Sequence, residues 1–234
     1  MSQDFVFHWE GAEGTERDTL RVVSFELSES LSQTYTLRLL VIAPAPDADL
    51  DPYDLVGKLG TLRIATGAEP AVRSVHGLII EAEDKGLGQH GALYELLLAP
   101  PFARAAQVEK SRIFLDKSLK HITERVLSEA AKSAPGQAAA EHPDTLTDAF
   151  EAPKALFEVR LSDTARWEDE KARPYVVQYQ ESDFTFLSRL LEDEGISYHF
   201  EHDKAAVVMV LSDSDGGKRA LEPADALSPL LAGR

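Results

Sequence analysis

A chain of 234 residues with 44% hydrophobic and 27% charged side chains can bury one or two sizeable cores, which excludes a fibrous or largely disordered protein. Its formal net charge of -16 is spread along the chain without a basic cluster, a balance that repels phosphate backbones and anionic lipid, so nucleic-acid binding is not expected. The absence of cysteine removes disulfides and thiolate metal sites and fits assembly in a reducing cytosol, while the N-terminal residues lack the basic and apolar regions of a secretory signal.

The first hundred residues read as short strands. Residues 5–9 are apolar and aromatic, and 20–27 form an apolar run with β-branched members. Residues 35–42 make a third strand, ended by Pro44 and Pro46 because proline cannot continue a ladder. In outline this is an antiparallel meander. An acidic, proline-containing surface loop at 47–54 precedes a short strand near 60–65, and 72–81 is expected to pair with 92–99 as a hairpin across a glycine-rich loop at 85–91. Strands at this spacing predict a small β-barrel over residues 1–101.

Beyond Pro100 and Pro101 the period changes from two to that of a helix. Leu119, Ile122 and Val126 lie on one face with Leu127 beside them, so 102–133 reads as a linker and an amphipathic helix that starts at Lys117 or Ser118. Residues 134–156, rich in alanine and proline, read as a flexible connector. A brief strand at 157–161 and a charged loop at 162–173 follow. Residues 175–180 are aromatic and β-branched, Ser182 stands as a helix N-cap, and Phe184, Leu187 and Leu191 recur at helical spacing, widened by Phe186 and Leu190. Gly195 sits where a left-handed cap is wanted. Ile196, Tyr198 and Phe200 then alternate with polar residues, and a turn at 202–204 leads into the apolar run 205–211. Residues 157–234 are thus a strand-helix-hairpin unit, and the whole chain is an α+β protein dominated by antiparallel β-structure.

Several strings invite a chemical reading. Gly86-Leu87-Gly88-Gln89-His90-Gly91 spells G-x-G-x-x-G, but a dinucleotide site needs a helix opening at the glycines, and a strand follows here; the glycines are expected to supply positive φ in a hairpin loop. His199, His202 and Asp203 could supply zinc ligands to a metal-dependent hydrolase, yet on an extended strand His199 and His202 project to opposite faces, and a solvated polar face is the plainer reading. Glu192, Asp193 and Glu194 crowd a helix C-terminus, where the macrodipole disfavours them, and read as a solvated run. Asp213-Ser214-Asp215-Gly216 is half of a calcium loop without its later glutamate, hence a turn. Ser197 lacks the flanking glycine of a nucleophile elbow. Asp183 at the helix start adds to capping, and Arg189 is expected to pair with Glu192 or Asp193 on its own helix. No catalytic residue, cofactor or metal is expected.

The string from Gln178 to His202, Q-Y-x-E-S-D-F-x-F-x-S-R-L-L-E-x-E-G-I-x-Y-x-F-E-H, resembles the hub domain of VgrG proteins, the spikes of type VI secretion systems, which are similar to the baseplate hub of contractile-tailed phages. Weaker likenesses lie upstream at 55–57, at His76-Gly77 and at 111–114. The resemblance implies a phage-hub-like fold in which Gly77, Tyr179, Ser182, Asp183, Phe184, Arg189, Leu190, Gly195 and Tyr198 serve architecture and assembly. It further implies a homotrimer that caps a tube of Hcp-type protein and works with neck, needle and tip (PAAR) proteins. Such a hub carries effectors outward, being cytoplasmic during assembly and then expelled without a signal peptide through a membrane that the whole spike punctures. A phage or tailocin baseplate hub is the related alternative. Family members continue into further β-domains, so the chain is expected to be a fragment of a hub.

Overall fold

The computed structural model describes residues 4–12, 20–43, 50–65, 72–136, 145 and 150–218. Most of the expected connector and the segment after 218 lie outside the described residues. Strands β1 (Phe5–Trp9), β2 (Arg21–Ser28), β3 (Thr36–Ala43), β4 (Leu59–Ala65), β5 (Val72–Gly88) and β6 (Gly91–Ala99) form one antiparallel sheet in the order β1-β4-β5-β6-β3-β2. The simple meander expected for the first three strands is therefore not observed, since β1 pairs with β4 while β2 pairs with β3. The alternation in β3 places Leu37, Leu39, Val41 and Ala43 inward with no exposure, against Phe7, Leu62, Val75, Leu96 and Leu98.

Curvature comes from β5, whose pairing with β6 shifts register between Ile79 and Glu81 and again between Asp84 and Gly86, and such bulges bend a strand and increase its twist. The sheet curls until its two edge strands meet through side chains, with the Phe5 and Phe25 rings edge-to-face at 5.2 Å. The result is a half-barrel. The hairpin is tighter than the sequence suggests, because the strands run to Gly88 and resume at Gly91; Gly86 (φ +88°) and Gly91 (φ +134°) take the positive φ expected of them. A short helix, α1 (Pro52–Leu55), capped by Asp51, occupies the end of the expected acidic loop and buries Leu55.

Gly60 and Gly77 are cross-strand partners. A Cβ at Gly77 would lie 2.8 Å from the Cβ of Leu98, an atom fixed to its backbone, and one at Gly60 would lie 2.7 Å from the Phe7 ring. Gly77→Ala is accordingly expected to cost about 1–3 kcal/mol through overpacking, read as a lower midpoint in thermal unfolding.

The second unit begins with a 3-10 turn (Pro101–Ala106) and strand β7 (Glu109–Leu115), where the sequence suggested only a linker before α2 (Leu119–Ala130). Ser118 caps α2, accepting from the His121 amide at 3.3 Å. Strand β8 (Ala134–Pro135) lies beside β9 (Lys154–Arg160), and the expected charged loop contains α3 (Ala165–Glu168), which buries Trp167. Then come β10 (Tyr175–Ser182), α4 (Asp183–Asp193), β11 (Ser197–His202) and β12 (Ala206–Ser212). The order β11-β12-β9-β8 makes a four-stranded sheet with β12 parallel to β9, whereas β10 pairs with β7 as a separate two-stranded ribbon. β12 is buried along its whole length: Met209 and Leu211 join the core with α2 and α4, while Ala206, Val208 and Val210 pack with Leu156 on the other face. The inner face of the ribbon packs on α4 through stacked Phe114 and Phe186 rings at 5.8 Å; its outer face leaves Ile113, Leu115, Tyr175 and Tyr179 exposed.

Candidate functional site

Two polar constellations stand out, one inside the second unit and one between the units. In the first, the side chain of Asp183 is only 2% exposed. It accepts from Lys110 Nζ at 2.6 Å, from Arg112 Nη2, and from Gln178 Nε2 at 3.0 Å. The local backbone explains the convergence. Ser182 caps α4 by accepting from the Thr185 amide at 3.1 Å, which places Asp183 in the first helical turn, where the free amides and helix dipole favour a negative charge. A register shift between Gln178 and Glu181, with Gln180 at φ +46°, leaves Gln178 to donate also to the Glu181 carbonyl at 2.9 Å and to accept from Arg112 Nε at 2.6 Å. Every polar atom of the Gln178 amide is thus used, as burial demands.

Asp183 is therefore the centre of a buried ion cluster, a larger role than the capping expected from sequence. Lys110 and Arg112 were not singled out by sequence reasoning. The available signal was two cations at i and i+2, hence on one face of a strand, opposite a glutamine that interrupts an apolar run.

The second constellation is a seam joining half-barrel to second unit. His76 of β5 is 1% exposed, with Nδ1 2.8 Å from Thr61 Oγ1 and Nε2 2.5 Å from the Asp203 carbonyl. Its backbone amide donates to His202 Nδ1 at 3.1 Å, and its carbonyl accepts from the Tyr35 hydroxyl at 2.5 Å. The Tyr35 ring meets both Phe200 and His202 edge-on, at 5.3 and 5.0 Å. A few residues away the Ser32 amide donates to the Tyr198 carbonyl at 2.8 Å while the Tyr198 hydroxyl donates to the Ser32 carbonyl at 2.7 Å. Burial lowers His76 from its ordinary 6.5 to about 4, against the pull of the Asp203 carbonyl and with a push from Arg63. Burial also holds His202 well below its ordinary value, helped by repulsion from His76 and Arg73. Both are neutral at pH 7.

Several expectations are corrected by this geometry. His202 does not look outward to solvent but into the seam, where its Nε2 is buried without a partner among the described residues. His199 does face the other side of β11, as the strand period requires, and lies 3.2 Å from Glu201, itself held by Arg160 at 2.7 Å. No group of three or more metal-ligating side chains occurs among the described residues. Arg189 pairs with Glu181 at 2.6 Å and the Val177 carbonyl at 3.2 Å, not with Glu192 or Asp193, because helical side chains lean toward the N-terminus and carry the guanidinium back over β10. The acidic run at the end of α4 is not simply solvated: Glu194 accepts from Arg166 at 2.8 Å and from Arg173 at 2.9 Å, and these pairs hold its carboxyl below the usual range. They also offset the unfavourable dipole.

The remaining motif residues are architectural in position. Phe184 packs at the core edge beside Tyr198, Leu190 is buried, and Gly195 takes φ +68° as the left-handed cap of α4. Tyr179 is exposed on the ribbon. Asp213 accepts from the Ser162 amide at 2.9 Å, and the acidic string runs into a 3-10 turn at Asp215–Gly217. No helix among the described residues is long and apolar enough to cross a membrane.

Comparison with known proteins places this geometry. The chain is 29% identical over 197 residues to the type VI secretion system spike protein VgrG4b of Pseudomonas aeruginosa, an alignment covering 84% of this chain and 20% of that protein. It is 28% identical over 219 residues to the actin cross-linking toxin VgrG1 of Vibrio cholerae, covering 90% of this chain and 17% of the relative. The chain thus spans about a fifth of the length of the curated relatives it matches. Among solved structures, the Escherichia coli c3393 protein, a type VI secretion component with structural similarity to T4 bacteriophage tail proteins gp27 and gp5, superposes with a TM-score of 0.67 at 23% identity, covering 92% of this chain and 50% of that one. The alternative of a metal-dependent hydrolase finds no support in these relatives. The profile of the phage tail baseplate hub (GPD) family matches residues 28–230, and with the curled sheet and the capped helix of its second unit in hand, the chain belongs to that family.

Proposed function

We propose that this chain is a structural hub unit of a type VI secretion spike, the trimeric base that caps an Hcp-type tube and moves effectors out of the cell. The observation that carries the reading is the match to the baseplate hub profile over residues 28–230, which runs from the end of β2 through the seam and the second unit. Its polar clusters suit the same role, because their side chains hold elements together, and the hydroxyl–imidazole pair of Thr61 and His76 is buried away from any substrate. Residues 1–101 are the tube-forming unit in this reading, and 157–234, packed with β7 and α2 in one core, belong to the start of a second domain. The edge strands β1 and β2 of the described sheet and the apolar outer face of the β7–β10 ribbon are the surfaces that self-association would use. A phage or tailocin hub is the related reading, and genes for secretion baseplate components beside this one would separate them.

The test is assembly. Light scattering of the protein mixed with its tube protein is expected to give a mass that includes three copies of the 25.7 kDa chain, with electron micrographs showing capped tube ends. A chain that stays at 25.7 kDa and leaves tube ends bare would sink the proposal.

A further inference from the structure

Hydrogen-bond stoichiometry assigns the protons in the seam. The Asp203 carbonyl can only accept, so His76 Nε2 carries a proton and its Nδ1 accepts from the Thr61 hydroxyl. The His76 amide can only donate, so His202 Nδ1 is bare and its proton sits on Nε2. The two rings lie 5.6 Å apart.

From this arrangement we propose that the His76–His202 pair is an acid-released latch between the half-barrel and the second unit. The two histidines are not equivalent in it. A proton added to His76 Nδ1 can be met by the Thr61 oxygen, since a hydroxyl turns to accept. A proton added to His202 Nδ1 faces the His76 N–H, donor against donor, and breaks a bond that joins residues 126 apart in the chain. His202 is the trigger.

The surroundings do not favour the cation. Arg73 from β5 repels a charge on His202, and Arg63 from β4 repels one on His76. Tyr35 offers a neutral hydroxyl already donated to the His76 carbonyl, and Glu29 acts on Tyr35. The Asp203 carboxylate favours a charge on His76 but not on His202, and its oxygen is held by its own turn, accepting from the Ala205 amide at 2.8 Å and the Ala206 amide at 2.5 Å. Neither imidazole bonds a carboxylate among the described residues. The folded seam therefore binds fewer protons than the open one, so closure is complete above the ordinary histidine value of 6.5 and weakens as pH falls below it toward the lowered value of His202.

The chain has no cysteine, so cysteines introduced at the exposed positions Tyr53 and Tyr179 give a unique pair of spin labels, one on each unit. In the otherwise native chain the inter-label distance is expected to broaden and lengthen as pH is lowered from 6.5, while far-UV circular dichroism of the strands persists. His202→Asn keeps an acceptor for the His76 amide and cannot take the proton, so it is expected to move that transition down by about one pH unit or more. A distance unchanged to pH 4, or one lost equally in H202N, overturns the latch. Should H202N fail to fold, carbon-13 histidine spectra of the native chain decide. The His202 ring is expected to titrate in the same step as the distance change, and titration near 6.5 with the distance intact overturns the proposal.

Discussion

Asp183→Ala is expected to destabilise the second unit by about 3–5 kcal/mol, the range found when one partner of a buried ion cluster is removed. The substitution strands Arg112, whose side chain is 17% exposed, and removes an acceptor from Gln178. Lys110 is 35% exposed and can turn to water, and Arg112 keeps its contact with Glu129 at 3.1 Å, so the cost lies toward the lower end of that range. Two tryptophans make the test local. Trp9 is buried in the half-barrel and Trp167 in the second unit. In Trp9→Phe and Trp167→Phe backgrounds, urea unfolding followed by the remaining tryptophan is expected to show the Trp167 midpoint falling and the Trp9 midpoint nearly unmoved. Replacing the cluster with apolar side chains, as in Lys110→Met, Arg112→Met and Asp183→Leu together, is expected to recover most of the loss. Failure of the single substitution to move the Trp167 transition would show that the carboxylate carries no structural weight.

Tyr198→Ala is expected to cost a similar amount, about 3–5 kcal/mol, but to move both tryptophan transitions. Its ring is 2% exposed and packs edge-on against Phe184 at 5.8 Å and Phe200 at 6.2 Å, so truncation opens a cavity in the second core. Its hydroxyl reaches across to the Ser32 carbonyl in the half-barrel, in a turn where Ser32 itself takes φ +55°. Tyr198→Phe removes that bond together with a 3.3 Å contact to the Ser188 hydroxyl and is expected to cost about 1 kcal/mol, because the ring stays. A Tyr198→Ala protein whose Trp9 transition is unchanged would show that the two units unfold without regard to this contact.

The two substitutions also mark which kinds of feature were legible in advance. β3, β11 and α4 are legible because burial on one face imposes a period of two or of about 3.6 on the residues themselves. The cap at Ser182 and the left-handed Gly195 are legible because each is a local solution to unsatisfied backbone groups. β7 was missed because Ile113 and Leu115 face outward while Arg112 and Lys110 face in, the reverse of the usual pattern, and only a carboxylate 71 residues away makes that arrangement affordable. The acidic run at the end of α4 misled for a related reason, since the arginines that neutralise Glu194 are carried by the preceding loop and α3.

What the sequence determined by itself was the periodic elements such as β3, α2, α4 and β11, the two caps of α4 and, through the ordered string from Gln178 to His202, the family. The tertiary structure decided the partners: β1 with β4, β10 with β7, Arg112 with Asp183, and His76 with His202. The physical reason is range. Periodicity and capping are enforced by neighbours within one turn or one strand, whereas a buried charge or imidazole is settled by whatever distant group folding brings within hydrogen-bonding distance. Capped helix α4 was visible from its own residues; that its first carboxylate anchors a ribbon, and that the strand after it latches one unit to the other, could be read only once the chain had folded.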